Sequence, residues 1–225
     1  MKEIKNVGIL LSAGYGNRFS NDILKQLYII DDLPMILYSL KVLLNTLDYV
    51  VIIINKKCFD DVQKIVYENS FENNVNIIIN EINDRLESIN TGLLFIKNNM
   101  LDIKNIIIHD SARPFIKEKH IMDLTSKMNG EILYIQYYFN LVNGLLRKNK
   151  DGNYEETDRS EFIEICTPIC ANFELYEFLF SNNLKKEKRK CYEIIPLLDS
   201  LKIKYELIEA EYKYIRKITK LEDVF

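Results

Sequence analysis

Histidine is scarce in this chain and cysteine never clusters: 225 residues include two histidines and four cysteines. Cys58, Cys166, Cys170 and Cys191 form no Cys-x-x-Cys pair, so neither structural zinc nor a disulfide framework is expected. Net charge is nearly absent as well. The 30 basic and 33 acidic residues almost cancel, and nucleic-acid binding would need a local basic stripe that the sequence lacks. The one dense basic run, Lys185-Lys186-Glu187-Lys188-Arg189-Lys190, has the pattern of a solvated helix face or loop. Long hydrophobic runs are missing too. Val7–Leu11 is too short for a signal-peptide core or a membrane span, so the expectations are no nucleic acid, no membrane and a cytosolic (cytoplasmic) location.

What is present suits a buried core. With 48% hydrophobic residues, the length fits one α/β domain over residues 1–225 with an appendage. Val7–Leu11, Tyr49–Ile54, Val75–Ile79 and Asn105–Ile108 are short, nearly continuous aliphatic runs, the pattern of strands covered on both faces of a parallel sheet. Between them, Pro34–Leu47, Phe59–Asn69 and Asp84–Asn99 repeat apolar residues at three and four, which predicts helices. The alternation implies a doubly wound, mostly parallel, Rossmann-like sheet whose ligand site lies at the carboxyl ends of its strands. After a predicted helix at Lys117–Met128 come extended stretches at Glu131–Phe139 and Leu141–Lys148, and Lys150-Asp151-Gly152-Asn153 is a turn signal. Together they predict a projecting β-hairpin arm over about residues 136–160. Helices at Asn172–Ser181 and Cys191–Ser200 and a strand at Lys204–Glu209 complete the pattern.

The chemistry is concentrated after the first strand. Leu11-Ser12-Ala13-Gly14-Tyr15-Gly16-Asn17-Arg18 is rich in small residues, and Lys25 follows the arginine by seven positions. Small residues there let backbone N–H groups approach phosphates, and two cations neutralise a triphosphate. A dinucleotide loop would need a third glycine where Phe19 stands and an acid where Asn55 ends the second strand; a Walker loop would need Gly-Lys-Ser/Thr. Neither is present, which disfavours a nicotinamide-dependent dehydrogenase.

These residues resemble a known pattern. Leu11-Ser12-Ala13-Gly14 through Arg18, followed by Leu24-Lys25-Gln26, is similar to the L-x-A-G-x-G-x-R…P-K-Q signature of sugar-phosphate and polyol-phosphate nucleotidyltransferases. Arg85-Leu86-Glu87-Ser88-Ile89 resembles R-x-x-S-V, His109 to Pro114 resembles H-D-A-A-R-P, and Thr167-Pro168 resembles T-P-Q. Those matches narrow the resemblance to the cytidylyltransferases acting on 2-C-methyl-D-erythritol 4-phosphate and ribitol 5-phosphate. It implies transfer of CMP from CTP to a phosphorylated alcohol, with Mg²⁺ carried mainly on the CTP phosphates. Arg18 and Lys25 would be the catalytic cations on the triphosphate. Leu11, Ser12, Ala13, Gly14, Gly16, Arg85 and Ser88 would hold the nucleotide, although Ser88 fits an ordinary helix-start serine equally well.

Asp110 ends the fourth predicted strand, on the rim where ligands bind; it would hold either Mg²⁺ or the alcohol's hydroxyls. Arg113 would contact substrate or fix the turn before Pro114, and His109 has the alternation of a structural residue facing away. The resemblance also assigns Thr167 to the substrate, Arg159 to a site in the dimer partner reached through the hairpin arm, and Lys217 (or Arg216, one residue away) to the incoming phosphate. A solvated surface cation remains the alternative for Arg159 and Lys217. The chain departs from the pattern at Leu24, Ile82-Asn83, Asn143-Gly144, Ile169 and Cys191-Tyr192-Glu193, mostly on the acceptor side. A catalytically silent nucleotide-binding and dimerisation module of the same fold is the competing reading.

Overall fold

The computed structural model describes residues 5–16, 18–20, 23–82, 84–182 and 193–224. Asn17 of the glycine motif, Asn83, the basic run Lys185–Lys190 and Cys191-Tyr192 lie outside the described residues. In chain order the elements are β1 (Asn6–Ser12), β2 (Ile29–Ile30), β3 (Leu33–Pro34), α1 (Met35–Thr46), β4 (Tyr49–Ile54), α2 (Phe59–Glu68), β5 (Val75–Ile79), α3 (Arg85–Asn99) and β6 (Asn105–Asp110). There follow α4 (Glu118–Lys127), β7 (Tyr134–Asn140), β8 (Leu145–Lys148), β9 (Tyr154–Thr157), β10 (Ile163–Asn172), α5 (Phe173–Asn182), α6 (Ile195–Ser200), β11 (Tyr205–Glu209) and α7 (Tyr212–Ile215).

Seven strands form one sheet in the order β11-β7-β10-β6-β1-β4-β5. The pairs β6–β1, β1–β4, β4–β5 and β7–β11 are parallel, and only β10 runs antiparallel to its neighbours. The fold is therefore the doubly wound, mostly parallel α/β class implied by the sequence. Side-chain alternation sends Leu10, Ile52 and Ile107 to one face, where α1, α2 and α4 pack, and Ile9, Ile53, Ile106 and Ile108 to the other, under α3, α5 and α6. Covering both faces explains why these strands are continuously apolar.

The strand order places the site. From β1 the chain builds outward through β4 and β5, then returns to lay β6 on the opposite side of β1. The carboxyl ends of β1 and β6 therefore lie side by side, and the loops that leave them line a crevice on that rim of the sheet. Beyond the hairpin the chain forms β10, a strand to which the sequence pattern assigned no bounds, and Pro168 within it can donate no ladder hydrogen bond. A register shift between Cys166 and Ile169 in its pairing with β7 accommodates that residue. Of the stretch Leu141–Lys148, only Leu145–Lys148 is strand, paired with β9 around Lys150–Asn153. Gln136–Asn140 of the expected arm belong to β7 in the main sheet.

Helix α3 can bring its first turn to the crevice because it crosses β1 closely at Gly92. A Cβ added there would stand 3.0 Å from both Cδ1 and Cγ2 of Ile9, itself fully buried. Gly92→Val is predicted to lower the unfolding free energy by about 1–3 kcal/mol through overpacking, measured by urea unfolding. An unchanged midpoint would contradict this contact.

Candidate active site

The crevice encloses about 670 Å³ including its open mouth, and is lined by the first loop (Leu11–Gly14), Lys25 and Gln26, the start of α3 (Asp84, Arg85, Ser88), the end of β6 (Asp110–Ala112) and Lys217. Each segment arrives for a local reason. Beyond β1 the chain turns at Gly16, whose φ of +69° suits glycine. A Cβ at Gly16 would lie 3.1 Å from the Cβ of Lys25, so the missing side chain lets loop and lysine meet. At Gly14 a Cβ would meet nothing within 4 Å, and its absence keeps the crevice wide. The Asp84 carboxylate caps α3 by accepting from the N–H of Glu87 at 3.0 Å. That fixes the turn on which Arg85 and Ser88 stand.

Asp110 is the electrostatic centre. Its carboxylate is nearly buried, with Lys217 Nζ 2.7 Å from Oδ2, Arg85 Nε 3.7 Å from Oδ1 and Arg113 Nε 3.9 Å from Oδ2. Burial alone would raise its pKa, but these three cations overcome that and hold it well below the usual carboxylate range. The Asp110 N–H donates to Thr167 Oγ1 at 3.1 Å, which joins β10 to the site. Lys217 thus occupies the position that left Arg216 as an alternative; Arg216 instead lies over the ring of Phe115, 4.7 Å from its centroid.

The other predicted residues fall in three environments. Lys25 donates to the Ile218 carbonyl at 3.1 Å, and its pKa is lowered to about 8 by burial and by the charges of Lys217 and Arg18 against the opposing pull of Asp110. Arg113 is buried, its guanidinium donating to the Ile215 carbonyl, so it ties the β6 loop to the C-terminal segment. His109 is fully buried, its pKa lowered by burial to about 4. Since its Nε2 faces the Arg113 carbonyl at 3.2 Å, a pure acceptor, that nitrogen must carry the proton. Arg18 is exposed and outside the crevice lining, although its charge is felt by Lys25. Arg159 is exposed on the turn after β9 and donates to the Val142 carbonyl, away from the crevice.

Three amides escaped the sequence reading. Gln26 and Asn55 donate to the carbonyls of Ser12 and Ala13, and Asn80, at the end of β5, donates to Ser88 Oγ at 3.0 Å. Only Gln26 carried a signal, as part of Leu24-Lys25-Gln26. No group of three or more histidine, cysteine, aspartate or glutamate side chains able to hold a metal ion exists among the described residues. Nor is any helix among them long and apolar enough to cross a membrane.

Comparison with known proteins agrees along nearly the full length. The family model described as IspD, 2-C-methyl-D-erythritol 4-phosphate cytidylyltransferase, matches residues 7–225. A relative of that name from Thermotoga neapolitana is 33% identical over 210 residues, covering 92% of this chain and 88% of the relative. One from Clostridium perfringens (strain SM101 / Type A) is 27% identical over 229 residues, covering 98% and 96%. The crystal structure of 4-diphosphocytidyl-2C-methyl-D-erythritol synthase from Anaerococcus prevotii superposes with a TM-score of 0.80 at 18% identity, covering 98% of this chain and 95% of that one.

The environment of Lys25 yields a direct test. Burial and like charges disfavour its protonated form, so its proton should leave well below the ordinary lysine value of about 10.4. Acylation of Lys25 by an amine-directed reagent, followed by peptide mass spectrometry, is predicted to rise with a midpoint near pH 8. A midpoint at the ordinary value would refute that environment.

Proposed function

The chain belongs to the 2-C-methyl-D-erythritol 4-phosphate cytidylyltransferase family, and from that premise we propose that it transfers CMP from CTP to 2-C-methyl-D-erythritol 4-phosphate, releasing pyrophosphate. The observation that carries this reading is the charge pattern of the crevice: one buried carboxylate faces Lys217, Arg85 and Arg113, with Lys25 beside the glycine loop. Such a surplus of cations suits polyphosphate. It also gives the acceptor a carboxylate for its hydroxyls.

In the proposed reaction a phosphate oxygen of the acceptor attacks the α-phosphorus of CTP. The bond from that phosphorus to the oxygen bridging to the β-phosphorus breaks, and its electron pair leaves with pyrophosphate. The nucleophile is already an anion, so no proton need be removed, and the neutral, buried His109 is not required as a base. What remains is positioning and charge neutralisation. The loop N–H groups of Ser12 to Gly16 would hold the phosphates, while Lys25 and Arg18 stabilise charge developing on the α-phosphoryl oxygens and the leaving group. A triphosphate beside Lys25 would raise its lowered pKa and so strengthen its hold on its proton. Arg85 and Ser88, on the first turn of α3, are assigned to the nucleoside side.

Asp110 and Thr167 are assigned to the acceptor's hydroxyls, and Lys217 to its phosphate. Both oxygens of Asp110 already face cations, so this donor set does not suit a protein-held metal. A divalent ion fits as a companion of the CTP phosphates instead. The β8–β9 hairpin exposes Leu146 (60%) and Tyr154 (64%), and Val142 nearby is 79% exposed. These apolar side chains support a homodimer through the hairpin arm, in which Arg159 reaches the partner's crevice. The departures at Leu24, Asn143-Gly144 and Ile169 fall mainly on the acceptor side, which favours ribitol 5-phosphate as the second acceptor to test.

Pyrophosphate release measured with CTP against 2-C-methyl-D-erythritol 4-phosphate, ribitol 5-phosphate and glycerol phosphate should give turnover with the first. Turnover with none would overturn the enzymatic reading in favour of a silent nucleotide-binding module. Arg18→Ala or Lys25→Ala should each slow the productive reaction by about 100-fold or more, the usual cost of removing one transition-state donor. Normal rates in either variant would remove that residue from the mechanism.

A further inference from the structure

A loop that offers its N–H groups to phosphates must turn its carbonyls into the protein, where each needs a donor. Near the end of β1 the backbone supplies one, the Ser111 N–H donating to the Leu11 carbonyl at 3.0 Å. The next two carbonyls receive side-chain amides. Gln26 Nε2 donates to the Ser12 carbonyl at 3.1 Å, and Asn55 Nδ2 donates to the Ala13 carbonyl at 3.3 Å. The two amides come from opposite directions: Gln26 from the short 3-10 turn beyond the loop, Asn55 from the residue after β4.

Cys58 joins them. Its sulfur accepts the second N–H of Gln26 and donates to Asn55 Oδ1 at 3.3 Å. All three side chains are at least 98% buried. A flipped Asn55 would point its oxygen at the Ala13 carbonyl, so that carbonyl sets the amide's orientation and the S–H donor on Asn55 Oδ1 reinforces it. Burial raises the Cys58 pKa against the lowering pull of both hydrogen bonds, which keeps that proton on the sulfur.

We infer that Gln26, Asn55 and Cys58 form a brace that pre-shapes the phosphate loop, making them positioning residues for the nucleotide although none is assigned a contact with it. Glycines at 14 and 16 leave the loop many conformations. Holding two consecutive carbonyls removes much of that freedom before the triphosphate arrives, and preorganisation of this kind is gained as affinity. The inference rests on the reading of this crevice as a CTP site.

Isosteric variants of the full chain test it. Asn55→Asp and Gln26→Glu exchange an NH2 donor for an oxygen facing a carbonyl, and each should weaken CTP binding by calorimetric titration at least about tenfold. The KM for the acceptor should stay unchanged in both. Cys58→Val, which has no donor, should weaken CTP binding by about fivefold, and Cys58→Ser, which restores one, should recover affinity to within about threefold of the unaltered protein. CTP affinity unchanged in Asn55→Asp and Gln26→Glu would overturn the brace alone. So would equal losses for CTP and acceptor that merely track a lowered melting temperature, since that is the signature of a structural role. An unaltered protein that binds no CTP would overturn the functional reading, and the brace with it.

Discussion

The Asp110 carboxylate is the interaction on which the arrangement depends. It sits at the end of a central strand, and its three cationic neighbours come from the first turn of α3, from the loop after β6 and from the segment after α7. One buried negative charge thereby ties two segments distant in sequence, the start of α3 and the stretch after α7, to the loop that directly follows β6. It is also outnumbered. Glu193, partly buried near Arg85, adds a second carboxylate, yet Lys25, Arg85, Arg113 and Lys217 still outnumber the two, a surplus of the sign and location that a phosphate chain would fill. Removing the carboxylate would leave the buried Arg113 without its counter-charge and three cations facing one another, so structural and chemical demands on this position cannot be separated.

Much of the fold was legible because burial on two faces leaves an unambiguous mark. The strands β1, β4, β5 and β6 were found within two residues of their ends, and helices α1 to α4 within one. β10 had no assigned bounds, and its proline is accommodated by a register shift that depends on the partner strand and leaves no mark in the sequence. The same limit applied to the site. Lys25, Arg85, Ser88, Asp110 and Lys217 converge on one crevice, and each lay in a motif whose spacing could be recognised. Gln26, Asn55 and Asn80 serve individual atoms, two carbonyls and a hydroxyl; apart from Gln26, which follows Lys25 in a motif, such an inward-turned side chain resembles any other amide in a sequence.

Asn55 illustrates the difference between excluding and explaining. Its presence at the end of the second long strand argued against a dinucleotide loop, because an acid is needed there to hold a ribose. In the structure the same residue supports the loop that replaces the dinucleotide one. Arg18 and Arg159 mark the opposite boundary: both are exposed in the isolated chain, and their proposed roles depend on molecules other than this one copy.

The antiparallel insertion of β10 has a consequence for biosynthesis. β6 and β7 are not neighbours; the strand between them is made last of the three. A nascent chain that has emerged only as far as β9 must therefore carry β6, with its row of isoleucines, open along one edge, and an open apolar edge invites pairing with other chains. Closure of the sheet waits for Ile163–Asn172, so the interval of vulnerability on the ribosome is set by the length of the hairpin that precedes it.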